Sequence, residues 1–408
     1  MKVHIRTFGC RANHYDSEAV RALALEAGHE IVDDAADADL AVFNSCAVTS
    51  EAERDLRKAV RGAAARNAGL RSIVMGCAAA LPESQPMLRT LPSVEHVIPA
   101  VDVIELARVL QAPAASFRTH RQDSARAVLR IQDGCDEHCT FCATTIARGA
   151  NRSRPAADLV REATALAAHH PEIVITGTHI GSYGTDIGSS LGALMDLLID
   201  RVPDVRFRMS SIEATEIDAR LFEIFTSASM RLAPHLHAPL QSGSDRLLRR
   251  MGRHWYTAQT YADAVERLAV RVPILGLGAD VIVGFPGETD ADHAATVALV
   301  ERLPFTYLHV FTYSPRPGTA ATRLPGAVNL SLAHQRSSEL RHLAQAKGQA
   351  YRQARAGTTA DLVVVRGGPE REALTEDYLT VRVDDPARAR GERFSVVLTL
   401  KEGSLTAA

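Results

Sequence analysis

The chain has 408 residues, 46% hydrophobic and 23% charged, with a formal net charge of −2. Those values fit a globular protein of two or three domains with full hydrophobic cores, and they exclude a disordered or collagen-like chain. The near-neutral charge gives no basic footprint for nucleic acid, and no apolar run is long enough to span a bilayer.

In chain order, Met1-Lys2-Val3-His4-Ile5-Arg6 opens a first strand, over Val3–Phe8, rather than a secretion signal, since no apolar core or small-residue cleavage site follows. A helical pattern covers Asp16–Ala27. A buried strand over Leu40–Asn44, a helix over Glu51–Arg66 and a strand over Ser72–Met75 complete a βαβ rhythm, which predicts a parallel sheet with helices packed on it. The polar stretch Ala112–Ala125 reads as a linker. Six further strands are expected at Ala127–Ile131, Glu172–Thr176, Arg206–Ser210, His235–Pro239, Gly278–Val283 and Tyr307–Tyr313, with helical stretches such as Asp158–His169 and Leu191–Asp200 between them. Six βα units predict an incomplete (β/α) barrel with its site at the strand C-terminal ends. A long helix over 330–355 enters through Asn329 or Ser331. Residues 357–408 then change to short β alternation with turns at Gly367-Gly368-Pro369 and Gly403, the pattern of a small β-barrel.

All six cysteines lie in the first 142 residues: Cys10, Cys46, Cys77, Cys135, Cys139 and Cys142. A reducing compartment disfavours pairing them as structural disulfides, and two groups of three suggest two metal centres. Cys10, Cys46 and Cys77 each follow a predicted strand, where an open α/β sheet forms its sites. They are either ligands or small buried residues. Cys135-Asp136-Glu137-His138-Cys139-Thr140-Phe141-Cys142 has C-x3-C-x2-C spacing. Three thiolates on one loop hold one face of a 4Fe-4S cluster and leave one iron open. A zinc site with His138 as fourth ligand is the alternative.

This spacing resembles the signature of the radical-SAM superfamily. There the open iron chelates S-adenosylmethionine (SAM), reductive cleavage yields a 5′-deoxyadenosyl radical, and the aromatic before the last cysteine, here Phe141, lies near the adenine. Further segments resemble the methylthiotransferases: Thr7-Phe8-Gly9-Cys10-Arg11-Ala12-Asn13, Asn44-Ser45-Cys46-Ala47-Val48-Thr49-Ser50-Glu51-Ala52-Glu53-Arg54, Gly76-Cys77-Ala78 and Thr176-Gly177-Thr178-His179-Ile180-Gly181-Ser182-Tyr183-Gly184. Ser210-Ser211-Ile212-Glu213, His235-Leu236-His237-Ala238-Pro239-Leu240-Gln241-Ser242-Gly243-Ser244 and Val283-Gly284-Phe285-Pro286-Gly287-Glu288-Thr289 continue the likeness in family order across nearly the whole chain.

The resemblance implies an α/β protein of three parts. An N-terminal parallel-sheet domain (1–111) would hold an auxiliary 4Fe-4S cluster on Cys10, Cys46 and Cys77. An incomplete (β/α)6 radical-SAM barrel (126–345) and a small TRAM-like RNA-binding β-barrel (346–408) would follow. SAM is expected beside Phe141, Gly177, Gly181, Ser211, Glu213, Gln241 and Gly284. Each glycine fits equally a tight βα turn, and Ser211, Glu213 and Gln241 fit equally a capping or core-satisfying role. The segment after Cys46 resembles the branch acting on threonylcarbamoyladenosine in tRNA rather than isopentenyladenosine or a ribosomal protein. The expected partners are tRNA and a low-potential electron donor, with no membrane, for a cytoplasmic monomer.

Residues 351–408 carry nine basic and nine acidic side chains, so RNA binding there rests on resemblance, with Tyr378 as a stacking group. Arg54, Arg57, Lys58, Arg61 and Arg66 recur at helical spacing and form either a phosphate track or a solvated face. One position departs from the family pattern: Thr145 stands where a proline is usual, while Arg148 and Gly149 remain.

Overall fold

The computed structural model describes residues 1–47, 50–99, 103–112, 121–227, 230–401 and 403–407. Val48, Thr49 and most of the expected linker (113–120) therefore lie outside the described residues. The chain divides into two compact units. One comprises Met1–His120, Gln132–Arg152 and Ser314–Thr322; the other comprises Arg121–Ile131, Ser153–Tyr313 and Arg323–Ala408. This division differs from the three sequence segments, because the cysteine loop goes with the N-terminal sheet and the C-terminal β-barrel with the (β/α) barrel.

In the first unit, β1 (Lys2–Thr7), β2 (Glu30–Ile31), β3 (Leu40–Ser45), β4 (Arg71–Gly76) and β5 (Val94–Pro99) form one parallel sheet in the order β2-β1-β3-β4-β5. Side chains alternate between its faces. Ala41, Phe43 and Val74 pack with Leu56, Val60 and Ala63 of the helix Ser50–Arg66. Leu40, Val42, Ile73 and Met75 pack with Val20 and Leu23 of the helix Arg11–Glu26, and with Leu106. That helix begins five residues before the periodicity predicts. Its first turns bury Asn13 and Asp16, polar residues that hide the apolar repeat and find partners in the folded chain.

The strands of the (β/α) barrel lie where the sequence places them. They are β6 (Ala127–Arg130), then, after β7 (Gln132–Asp133) and β8 (Arg152–Ser153), β9 (Glu172–Thr176), β10 (Arg206–Met209), β11 (His235–His237), β12 (Gly276–Val283) and β13 (Tyr307–Thr312). They form two parallel sheets, β10-β9-β6 and β11-β12-β13. Isolated parallel bridges Phe207–Leu232 and Ser211–His237 continue the arc between them. Ile173, Ile175, Phe207, Met209, Leu277, Val281 and Val283 face the helices and build the main core. The alternate residues face inward, and many of them are polar. Glu172, Arg206 and Arg208 among them are fully buried.

The helix Leu330–Arg355 follows, and the side chain of Asn329 caps it by accepting from the Ser331 N–H at 2.8 Å. β14 (Thr359–Arg366), β15 (Glu372–Thr375), β16 (Thr380–Val383), β17 (Arg393–Lys401) and β18 (Ser404–Ala407) then close into a barrel. Its β15–β16 turn is built into the larger barrel. Arg208 donates from Nη2 to the Thr375 carbonyl (2.9 Å) and from Nη1 to the Glu376 carbonyl (3.0 Å), and Arg206 pairs with Asp361 at 2.9 Å. Gly276 has no room for a side chain, because a Cβ there would lie 1.9 Å from the Asp377 carbonyl oxygen. Tyr378 is therefore no RNA-stacking group: its ring stacks on His235 at 4.2 Å, inside the joint.

Candidate functional site

The first unit holds all six cysteines as free thiols. Cys10, Cys46 and Cys77 directly follow or lie just beyond β1, β3 and β4, three adjacent strands whose ends are level: Thr7 pairs with Asn44, Asn44 with Met75 and Ser45 with Gly76. The order 2-1-3-4-5 reverses direction between β1 and β3, and the crevice of such a sheet opens at that point. Two glycines make the convergence sterically feasible. Gly9 sits at φ 132°, and a Cβ on it would be 2.8 Å from the Cys46 Cβ. Gly76 sits at φ 93°, where a Cβ would be 2.3 Å from Asn44 Oδ1 and 2.5 Å from the Ser45 carbonyl. Side chains with a Cβ avoid that region of backbone space.

A buried polar network fixes the three strand ends. Asn13 Nδ2 donates to Asn44 Oδ1 (2.9 Å) and to the Ser45 carbonyl (3.1 Å), and Asn44 Nδ2 returns a bond to the Asn13 carbonyl at 2.7 Å. The Cys10 thiol reaches Asn13 Oδ1 at 3.4 Å. Ser45 donates to the Met75 carbonyl and accepts from the Ala79 N–H.

The C-x3-C-x2-C loop lies between β7 and the short helix Thr144–Arg148. Its base is closed by the Cys135 N–H donating to the Gly149 carbonyl at 3.0 Å, and Gly134 is obligatory because a Cβ there would meet the Ala150 carbonyl oxygen at 1.9 Å. The Ala321 N–H braces the loop through the Thr140 carbonyl at 2.8 Å, and Arg316 ties the same segment to Glu53 at 3.0 Å. Phe141 is half-buried in the loop and His138 is exposed. Thr145 is the second residue of the short helix, within the turn whose N–H groups lack intrahelical partners. Proline there only presets the backbone, so threonine removes rigidity and no hydrogen bond.

Arg148 joins the two cysteine groups. Its Nη2 pairs with Asp16 at 2.8 Å, its Nη1 with Asp133 at 3.1 Å, and its Nε donates to the Cys77 sulfur at 3.3 Å. Burial disfavours its charge, but Asp16, Cys77 and Asp133 outweigh that and hold it firmly protonated. Burial likewise pushes the Cys77 thiol up, with Arg148 acting against it. Ala78 and Leu81 pack against Ala143 and Ala147, so the helix after the loop rests on the turn that starts at Cys77. The donor set fits iron–sulfur ligation: three thiols on one irregular loop, three at one sheet edge, and N–H groups directed at sulfur from Arg148 and from Thr144 (to Cys142, 3.4 Å).

In the second unit the expected SAM residues occupy strand ends. Gly177 follows β9 and Gly181 lies in the next turn, where a Cβ would strike the Glu216 carboxylate. Ser211 bridges to His237 and Gln241 to Val281. Gln241 holds φ 63°, and its side chain makes no hydrogen bond among the described residues. Glu213 is engaged by Arg253 and by the Trp255 indole N–H, and burial raises its carboxyl despite Arg253. Gly284 serves packing, since a Cβ would be 2.6 Å from the Ala333 Cβ.

Two basic features differ in character. On the helix Ser50–Arg66, Arg54 pairs with Glu51 and Arg66 with Asp34, leaving Lys58 and Arg61 exposed on a solvated face. Periodicity gave no sign of the second, a cleft of about 820 Å³ between the helix Leu330–Arg355 and the small barrel, where Arg352, Arg371 and Arg382 stand beside Glu370 and Glu372.

Two family models match the chain: "Uncharacterized protein family UPF0004" over residues 2–99 and "Radical SAM superfamily" over residues 129–300. The chain is 36% identical over 396 residues to the threonylcarbamoyladenosine tRNA methylthiotransferase MtaB of Thermotoga maritima, covering 92% of this chain and 87% of that one. This chain belongs to the radical-SAM methylthiotransferase family. It is also 35% identical over 401 residues to a tRNA-2-methylthio-N(6)-dimethylallyladenosine synthase of Acidithiobacillus ferrooxidans, covering 92% of this chain and 88% of the relative. The radical S-adenosylmethionine methyltransferase TsrM from Kitasatospora setae shares the fold, with a TM-score of 0.56 at 15% identity over 76% of this chain and 72% of that one. Membership in this radical-SAM family carries a 4Fe-4S cluster and S-adenosylmethionine with it. Among the described residues, no helix of this methylthiotransferase is long and apolar enough to cross a membrane.

Proposed function

We propose that this chain converts N6-threonylcarbamoyladenosine at position 37 of tRNA, beside the anticodon, into its 2-methylthio derivative. The observation that carries the reading is the gathering of all six cysteines in one compact unit, three on a loop and three at level strand ends, joined through Arg148. Cys135, Cys139 and Cys142 would hold the superfamily's 4Fe-4S cluster, and Cys10, Cys46 and Cys77 a second one. When bound, these groups supply reductive cleavage of SAM, hydrogen removal at carbon 2 of the adenine, and the methylated sulfur placed there.

The chain's own residues bind, orient and exclude water. Arg148 keeps positive charge against Cys77 and so offsets part of what burial costs its thiolate. We assign Gly177, Gly181, Ser211, Gln241, Gly284 and Phe141 to SAM. The side-chain amide of Gln241, without a hydrogen bond among the described residues, and the exposed Ser211 are polar groups open to it. Glu213 acts on SAM through the placing of Arg253 and Trp255. The functional division is 1–111 for the auxiliary cluster, 126–345 for SAM, and 346–408 for RNA, with the Arg352–Arg371–Arg382 cleft as the backbone-binding surface in place of Tyr378. A base in the anticodon loop is unstacked at small cost and so reaches the barrel. This reading puts the protein in the cytoplasm, as a monomer served by a low-potential electron donor.

The test is mass spectrometry of nucleosides from total tRNA of cells with and without the gene. Loss of 2-methylthio-threonylcarbamoyladenosine with build-up of its precursor is expected. An unchanged profile would overturn the assignment.

A further inference from the structure

The sheet β11-β12-β13 has two unlike faces. Leu236, Leu277, Ala279, Val281 and Val310 turn to the helices and are buried. The alternate residues His235, His237, Asp280, Tyr307, His309 and Phe311 turn to the inside of the barrel. Register sets Asp280 beside His309, and Gly278 between His237 and Tyr307. Gly278 yields its place to the tyrosine, because a Cβ on it would lie 2.0 Å from Tyr307 Cζ.

That hydroxyl bonds to His235 Nε2 at 2.8 Å and to His237 Nδ1 at 3.0 Å. The other nitrogen of His237 bonds to Asp280 Oδ1 at 3.1 Å, and His309 Nδ1 bonds to the same oxygen at 3.1 Å. Burial would raise the Asp280 carboxyl, but the two imidazoles hold it well below the ordinary range, so it is ionised. Both nitrogens of His237 are therefore occupied. His309 differs: its Nε2 has no bonding partner among the described residues, and its side chain is 54% exposed. Arg206 and Arg208, which also turn inward, are taken by Glu172. The group lies next to the SAM-binding rim, for the N–H groups of Leu240 and Gln241 both donate to the Asp280 carbonyl.

We propose that His309, oriented by Asp280, receives a carboxylate carried on the substituent of the substrate base, so that the barrel selects an anionic, amino-acid-modified adenosine over one with an apolar substituent. This rests on the methylthiotransferase reading and gives that site its substrate class. Asp280 bonds to Nδ1 and holds the ring so that Nε2 faces its open side, within reach of a ligand in the barrel. A carboxylate leaving water needs a hydrogen-bonding partner in place of it, and a hydrogen bond to an ionised carboxylate is among the stronger ones. Asp280 does not repel it strongly, since its facing oxygen already accepts two N–H groups. An apolar substituent laid on the same wall would strip water from the histidine and aspartate and return no hydrogen bond, which is how a polar site rejects an analogue lacking its partner.

The test uses reconstituted holoenzyme and fluorescent anticodon stem-loop RNAs. One carries threonylcarbamoyladenosine and one its threonyl methyl ester, which differs by the single charge. Anisotropy is expected to show the acid bound about tenfold or more tighter than the ester. His309→Gln and Asp280→Asn are expected to bring that ratio near one. An acid-to-ester ratio near one in the wild type, which requires no variant to fold, or a ratio that survives in His309→Gln, overturns the proposal. Binding is read apart from turnover. Preference for the acid without any 2-methylthio product would sink the reaction and leave this recognition standing, and product without preference would do the reverse.

Discussion

The Nε of Arg148, at the end of the helix that follows the C-x3-C-x2-C loop, donates to the sulfur of Cys77 at 3.3 Å. Residues 71 positions apart are thereby locked through one guanidinium, whose remaining nitrogens are held by Asp16 and Asp133. Arg148→Gln leaves a buried aspartate without its counter-charge and is expected to cost about 3–5 kcal/mol, read as a lower melting temperature. Arg148→Lys restores charge but not the three-way fork, so it should fall between the two.

The two cysteine groups should be separable by chemistry. Cys139→Ala is expected to abolish SAM cleavage, measured as 5′-deoxyadenosine under reduction. Cys46→Ala is expected to keep cleavage and lose methylthiolation. Each variant should lose about four irons from the reconstituted protein. Full product from Cys46→Ala would end the division of labour between the groups.

Gly76 tests the strand-end geometry on its own. Gly76→Ala puts a Cβ on a residue at φ 93° and drives it against Asn44 and the Ser45 carbonyl. The backbone penalty alone is about 1–2 kcal/mol, and the clash adds to it. We expect a lower melting temperature and, because Cys77 is the next residue, loss of about half the iron on reconstitution. Unchanged iron would show that Cys77 is not held by this turn.

Glu172 should make the second unit sensitive to acid. Burial would raise its carboxyl, but Arg208 and Arg206 outweigh that and hold it well below its ordinary 4.5. A lowered folded-state value contributes stability that is present above 4.5 and is lost as the pH falls below it. Glu172→Gln is expected to cost about 3–5 kcal/mol at neutral pH and to flatten the acid limb of a stability-versus-pH profile. An unaltered acid limb would place the acid-labile group elsewhere.

The strands and the cysteine positions were legible because period-two patterns and turn residues are local signals. All six barrel strands lie at the expected segments, and Asn329 caps the long helix as its residue type implies. The joint between the barrels was not legible: it depends on Glu172, Arg206, Arg208, Asp361 and the carbonyls of Thr375 and Glu376. No periodicity links residues so far apart, and buried arginines read in sequence as surface ones. Tyr378 was misread for the same reason. In isolation it is an aromatic at a β-turn, and only the folded chain supplies His235 beneath it. His237, Asp280 and His309 each fit a strand pattern without any hint that they meet.

The turn Thr375–Tyr378 gives Arg208 of β10 its last hydrogen-bond acceptors, as Asp361 does for Arg206. The C-terminal barrel is therefore a stopper as much as a handle. Cutting it away would strand Arg208 and uncover His235, and a module transplanted from a relative would need matching carbonyls at the same turn. Chimeras meant to exchange RNA preference should carry the seam, residues 172, 206, 208 and 276, along with the domain they borrow.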